Sequence, residues 1–234
     1  MNSRVTELKW ALAAFAIAAA AFVVFPEIDL AASGLFFRNG EWLLSPYSPW
    51  LALPYYGMPR LGQAIVLALL VLTPLSFIPH LSRLRPHRGT FAFLLVAALI
   101  GPIGLVDAVL KEHSGRARPI NVQPFGGDKV FTPAFIPADQ CRKNCAFVSG
   151  HVASAAFFMA FGWLAAPKTR RRWLIGGSAF AAGMALARML PGGHFLSDAL
   201  FAWFCVYFTL WAVEWGFSKL GWLFPRSVDP SIQP

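Results

Sequence analysis

Three short groups of residues in this chain carry the chemistry of anion capture and proton transfer. They are Lys111 with Arg118-Pro119, then Ser149-Gly150-His151, then Arg188 with His194 and Asp198. Lys111, Arg118 and Arg188 supply cations for the non-bridging oxygens of a phosphate, and each guanidinium can bind two oxygens at once. Such a clamp stabilises charge spread over the equatorial oxygens in a phosphoryl-transfer transition state. Ser149 and Gly150 open a predicted helix, where backbone N–H groups point at an anion. Asp198 follows His194 by four positions and so shares its helix face. From there its carboxylate can orient the imidazole and support a cation on it. One ring nitrogen of His194 is then free to attack phosphorus, and His151 can protonate the departing oxygen. Lys111 or Arg118 alone would read as an interfacial anchor, and His194 alone as a core histidine. Joined, they read as a phosphoryl-transfer site, with Asp107 first of all an ion-pair partner for Lys111.

The elements that must position these groups belong to a membrane protein. Of 234 residues, 57% are hydrophobic and 13% charged, against about 25% charged in a soluble domain. Apolar runs close to the ~20 residues that span a bilayer fall at Leu8–Phe25, Leu61–Ile78, Thr90–Leu110, Val148–Ala166, Trp173–Leu190 and Phe195–Phe217. The expected fold is therefore all-α: a single domain over residues 1–234, a polytopic bundle of six transmembrane helices with the site on its outer loops.

The net charge of +9 does not point to nucleic acid, because the basic residues lie in short loops between apolar runs. Arg4 precedes the first run and Lys9 stands at its start, and Arg83, Arg85 and Arg88 lie between the second and third. Lys168, Arg170, Arg171 and Arg172 lie between the fourth and fifth, and Lys219 and Arg226 follow the sixth. This alternation puts both termini in the cytoplasm. It also carries all three chemical groups to the outer boundary, where ionisable side chains are functional candidates by default. The Ala-rich first run also fits a cleaved signal peptide; no cleavage site stands out, so it is read as a helix.

The first outer segment, Pro26–Arg60, reads as an interfacial or re-entrant stretch with aromatic anchors, broken by Pro46, Pro49 and Pro54. The second, Lys111–Phe147, is polar and rich in Gly and Pro, and the third is the tight turn Pro191-Gly192-Gly193. Cys141 and Cys145 lie in the second segment. The spacing leaves open a disulfide in an oxidising compartment or two free thiols. Cys205 reads as a small core residue. Glu214, near the inner end of the last run, reads as interfacial, and the tail Ser227–Pro234 as frayed.

Lys111-Glu-His-Ser-Gly-Arg-Ala-Arg118-Pro119, Val148-Ser149-Gly150-His151, and Ala187-Arg188 with His194 and Asp198 resemble the three signatures of the type 2 phosphatidic acid phosphatases (PAP2). Two positions depart from that pattern: Val148 stands where the family has proline, and Ala187 where it has serine. Neither change removes a residue with an assigned role. The resemblance implies a six-helix fold, a phosphohistidine on His194, no metal or other cofactor, and phosphate held by Ser149, Gly150, Lys111, Arg118 and Arg188. The loop around Phe125-Gly126-Gly127-Asp128-Lys129, with Cys141-Arg142-Lys143-Asn144-Cys145, resembles the bacterial lipid A phosphatase branch. This implies a phospholipid or lipid A-type partner and a site facing the periplasm from the inner membrane. Arg116, Lys129, Arg142 and Lys143 are expected at the headgroup. For the last three, attraction to an anionic surface is an equal alternative. Other substrates of this class are undecaprenyl pyrophosphate, phosphatidylglycerophosphate and phosphatidic acid. Two further alternatives are a non-catalytic lipid-binding or transport protein and a metal-dependent hydrolase. The intact His194/Asp198 pair argues against the first. His113, His151 and His194 lack a compact ligand spacing, which argues against the second.

Overall fold

The computed structural model describes residues 2–45 and 47–222; Pro46, Arg226 and the tail Ser227–Pro234 lie outside the described residues. Helices α1 (Asn2–Val24) and α2 (Glu27–Gly34) meet at Pro26. A two-stranded hairpin follows, β1 (Phe37–Arg38) and β2 (Glu41–Trp42), paired Phe37 with Trp42. Its Asn39-Gly40 turn has positive φ at both residues, which matches the twist of a two-residue hairpin. The remaining helices are α3 (Pro49–Leu75), α4 (Arg85–His113), α5 (Gly150–Leu164), α6 (Pro167–Met189) and α7 (Leu196–Lys219).

A helix forms at every one of the six apolar runs, but their lengths differ from expectation. Among the described residues, four are long and apolar enough to cross a membrane: Arg4–Val24 of α1, α3, α4 and α7. At 1.5 Å per residue, α5 is about 22 Å long, short of the ~30 Å hydrocarbon core. It stops at Leu164 because Ala165 and Ala166 are extended ahead of Pro167. Helix α6 is long, but Lys168, Arg170, Arg171 and Arg172 occupy its first turns.

Pro49 and Pro54 of the first outer segment do not break the chain as expected. Pro49 starts α3 just after Ser48, where its missing N–H costs nothing, and five wider π-helical residues, Leu53–Gly57, carry the helix past Pro54. Helix α3 therefore begins well before Leu61, and Tyr47, Trp50 and Leu53 stand exposed around its start. Helix α4 likewise runs on through π-helical turns over Leu99–Leu110, so Lys111 is still helical.

Helix α7 is the axis of the bundle. Of its apolar window 61% is buried, against 6% for α1. The main core joins Phe93 and Val106 of α4, Val152 and Met159 of α5, Met184 of α6, and Phe201 and Leu210 of α7. At one end Glu7 of α1 binds Arg170 of α6 at 2.8 Å and accepts from Tyr207 of α7 at 2.7 Å, and Arg4 pairs with Glu214. Glu214 is thus an ion-pair residue. At the other end a second, smaller core of Val122, Phe125 and Phe195 packs with Leu30, Phe37, Trp42 and Phe131. This cap carries the site.

Candidate active site

Every element of the cap fixes one of the sequence-predicted side chains. Helix α4 ends by presenting Lys111, 13% exposed, with Asp107 one turn earlier at 3.8 Å. Ser149 caps α5 in extended conformation, and its backbone N–H donates to the carbonyl of Asp198 at 3.0 Å. That bond ties the second group to the third. Gly150 faces Asp107 and Lys111: a Cβ there would lie 2.6 Å from Asp107 Oδ1 and 3.4 Å from Lys111 Nζ. Only glycine leaves that side of the cradle clear.

Arg188 ends α6 and is 4% exposed. Its guanidinium lies over the Tyr55 ring at 4.6 Å, and its Nε is buried without a partner. The chain then turns through Gly192, at φ +69°, where any side chain would overlap the Trp42 ring. The hairpin thereby fixes the turn that delivers His194. Ser149 Oγ is a second buried polar atom without a partner. Both atoms are therefore available to a bound anion.

His194 is 1% exposed. Its Nδ1 donates to the Ala146 carbonyl at 2.9 Å and lies 3.5 Å from Asp198 Oδ2. The carbonyl can only accept, so it fixes the proton on Nδ1 and leaves the Nε2 lone pair free. Burial, then the neighbouring Arg118, Arg188 and Lys111 charges, hold the imidazole neutral well below its ordinary value of 6.5. His151 Nε2 donates to the Tyr55 carbonyl at 3.0 Å.

Arg118 donates to the Asn144 carbonyl at 3.0 Å, and burial lowers its pKa below the usual guanidinium range. Asn144 lies between Cys141 and Cys145, which are bridged. The same stretch ties Cys145 N to Lys111 O at 3.2 Å and Ala146 N to Arg116 O at 2.9 Å.

The structure corrects the expectation for Arg116, which is 1% exposed and faces neither headgroup nor solvent. It donates to Asp198 Oδ1 at 2.6 Å, Ser197 Oγ at 2.8 Å, Asp29 Oδ2 at 2.8 Å and the Thr132 carbonyl at 2.9 Å. Asp29 of α2 is a residue the motif reasoning missed. It also accepts from Ser197 N at 2.9 Å and Ser197 Oγ at 2.5 Å. Burial raises its carboxyl above the ordinary 3.8 even with Arg116 in contact. A lone acid in the otherwise apolar Ile28–Leu30 was the available signal.

Arg142 and Lys143 are exposed on the disulfide loop, and Lys129 turns to Asp128 at 3.1 Å. His113 bonds its own helix at Val109 O, 2.8 Å away. Among the described residues, no three His, Cys, Asp or Glu side chains gather as a metal site. From the cap a cleft of about 490 Å³ runs between α3, α4 and α5. Asp107, Lys111, Gly150 and His151 form its polar end, Gln63 and Ser154 add polar groups, and Met58, Val66, Pro102, Ile103 and Phe157 supply its apolar lining.

No solved structure matches the chain. Lipid A 4'-phosphatase of Francisella tularensis subsp. novicida is 35% identical over 82% of this chain and 87% of its own length. The lipid A 4'-phosphatases of Rhizobium etli and Rhizobium leguminosarum are each 42% identical, over 47% and 45% of this chain and less than half of their own lengths. The profile of the PAP2 superfamily matches residues 89–222, covering Lys111, Ser149-Gly150-His151, Arg188, His194 and Asp198. By both measures the chain belongs to the PAP2 superfamily.

Proposed function

We propose that this chain removes a phosphate from lipid A, the 4'-phosphate by analogy with its relatives, at the outer boundary of a bacterial inner membrane. The chain is a phosphatase, a phosphoric monoester hydrolase. The observation that carries the lipid reading is the cleft, whose polar end holds Lys111, Gly150 and His151 and whose apolar flank runs between α3, α4 and α5. A phosphate at the polar end would leave acyl chains among residues that face lipid. The basic ends of α1, α6 and α7 lie opposite the site, which supports six spans, cytoplasmic termini and a periplasmic site. In that arrangement the short α5 would span obliquely beneath the cap, and the disulfide suits an oxidising compartment.

His194 Nε2 attacks phosphorus, forming an N–P bond as the ester P–O bond breaks. Lys111, Arg118 and Arg188 hold the equatorial oxygens, joined by Ser149 Oγ and the N–H groups at the start of α5. His151, whose Nε2 proton is held by the Tyr55 carbonyl, takes up a second proton on Nδ1 as the anionic substrate binds and gives that one to the departing sugar oxygen. It then takes one from the water that cleaves the N–P bond, releasing phosphate and restoring His194. Arg142 and Lys143 stand where they would meet further acidic groups of a large headgroup.

The test is phosphate release by the purified protein from lipid A, undecaprenyl pyrophosphate, phosphatidylglycerophosphate and phosphatidic acid, with and without chelator. Highest turnover on lipid A with loss of the 4'-phosphate, unaffected by chelator, is expected. Preference for another lipid would overturn the substrate, and loss of activity in chelator would overturn the metal-independent mechanism.

A further inference from the structure

Phosphorylating a neutral imidazole creates a cation on its ring. In this site that cation forms in a fully buried place already surrounded by Lys111, Arg118 and Arg188. The transferred phosphoryl brings negative oxygens of its own, but Lys111, Arg118 and Arg188 bind those, so the ring cation is offset from its other side, where Asp198 is the nearest acid. Yet Asp198 is 0% exposed and not free to act alone. Its Oδ1 is bound by Arg116 at 2.6 Å and its Oδ2 by the Phe195 N–H at 2.8 Å. Taken as a pair, Arg116 and Asp198 are neutral and would offer His194 little.

The third member alters that balance. Asp29 binds the other arm of the same guanidinium at 2.8 Å, from a helix 87 residues away in sequence. Three donors converge on its carboxylate, Arg116 and the N–H and O–H of Ser197, and they counter the rise that burial imposes on it. Ser197 also accepts from Arg116 at 2.8 Å, so both carboxylates and the serine form one closed set. Phe195 packs against the guanidinium at 4.4 Å, and the Thr132 carbonyl occupies its Nε. Both terminal nitrogens of Arg116, Nη1 and Nη2, are thereby directed to this network.

We propose that Asp29 is a positioning residue for the reaction. Acting through Arg116 and Ser197, it fixes the Asp198 carboxylate beside His194. Its charge gives the Asp29–Arg116–Asp198 set the single net negative charge that offsets the phosphorylated imidazole. Arg116 is a positioning residue in the same set. This rests on the phosphohistidine reading above. It assigns a role in the chemical step to a helix that carries none of the three motifs.

The experiment compares wild type, Asp29→Asn and Ser197→Ala, each full length and purified, with p-nitrophenyl phosphate as substrate and inorganic phosphate as competing inhibitor. Asp29→Asn keeps the size and most of the hydrogen bonding but removes the charge. Its kcat should fall about 100-fold, at the low end of the range seen when preorganised charge stabilisation is removed, with KM and the phosphate inhibition constant unchanged. Ser197→Ala, a milder change that strands no charge, should lower kcat by about three- to tenfold with the same constancy of binding. An Asp29→Asn variant with near-normal kcat overturns the proposal, because the charge is then unused. Parallel loss of kcat, KM and phosphate inhibition in both variants also overturns it, because the network would then only hold the fold. A wild type with no phosphoenzyme and an active His194→Ala variant would instead sink the underlying histidine reading, and the comparison separates the two failures.

Discussion

Reducing the Cys141–Cys145 bridge should slow the enzyme without dismantling it. The two cysteines are separated by four positions, and for a closed loop of about five residues the chain-entropy relation gives roughly 7 cal/mol/K, or about 2 kcal/mol at 25 °C. Two carbonyls on this stretch face the site: Asn144 holds Arg118 at 3.0 Å and Ala146 holds His194 at 2.9 Å. If all of that energy served to order the loop, its loss would reduce the fraction of molecules holding both side chains by about 30-fold. The bonds from Cys145 N to Lys111 and from Ala146 N to Arg116 do not involve the sulfurs and also hold this stretch. The expected fall in kcat/KM is therefore smaller, about three- to tenfold. The assay is phosphate release before and after reduction in a Cys205→Ala background, with alkylation counting only the bridging pair, and in the Cys141→Ser/Cys145→Ser double variant. Two newly alkylated thiols with unchanged kcat/KM would refute the idea that this loop holds Arg118 and His194.

Gly150→Ala places a methyl 2.6 Å from Asp107 Oδ1 and 3.4 Å from Lys111 Nζ. Asp107 is half exposed and can swing away, so the fold should survive. Displacing Asp107 takes the ion-pair partner from Lys111, and kcat/KM should fall by about 10- to 100-fold; a fall under threefold would show that this side of the cradle does not position Lys111. The acid limb of kcat/KM should also lie low on the pH axis. Burial and three cations hold His194 neutral well below 6.5. Nucleophile protonation therefore removes activity only once pH drops through that lowered value. The folded state binds this proton less readily than the unfolded one, so the same group makes stability fall as pH drops below 6.5. A titration of the His194 ring by NMR centred at or above 6.5 in the folded protein would contradict both statements.

The motifs were legible because their spacing is dictated by helix ends. Lys111 ends α4, Ser149 caps α5, Arg188 ends α6 and Asp198 lies in the first turn of α7, so hydropathy alone brings them to one end. What escaped is what the tertiary structure adds. Asp29 has no motif partner in sequence, and only the folded cap brings it to Arg116. Arg116 itself stands among charged and polar neighbours, Glu112, His113 and Arg118, and nothing local distinguishes a buried guanidinium from a solvated one. The orienting acceptors of both histidines, Ala146 and Tyr55, act through backbone carbonyls, which any residue type supplies. Proline reading misplaced the start of α3, since Pro49 begins the helix and π-helical turns carry it past Pro54. The short α5 was hidden because Ala165-Ala166 continue the apolar run that Pro167 ends.

The nucleophile can be tested by trapping. Purified protein turning over a lipid labelled with ³²P in the scissile phosphate is denatured in alkali and digested, and the labelled peptide is sequenced. The expected result is an alkali-stable, acid-labile phosphoryl group on the peptide containing His194, absent from His194→Ala, which also releases no phosphate. Label on any other residue, or an His194→Ala variant that still turns over, would contradict the assignment of His194 as the attacking group.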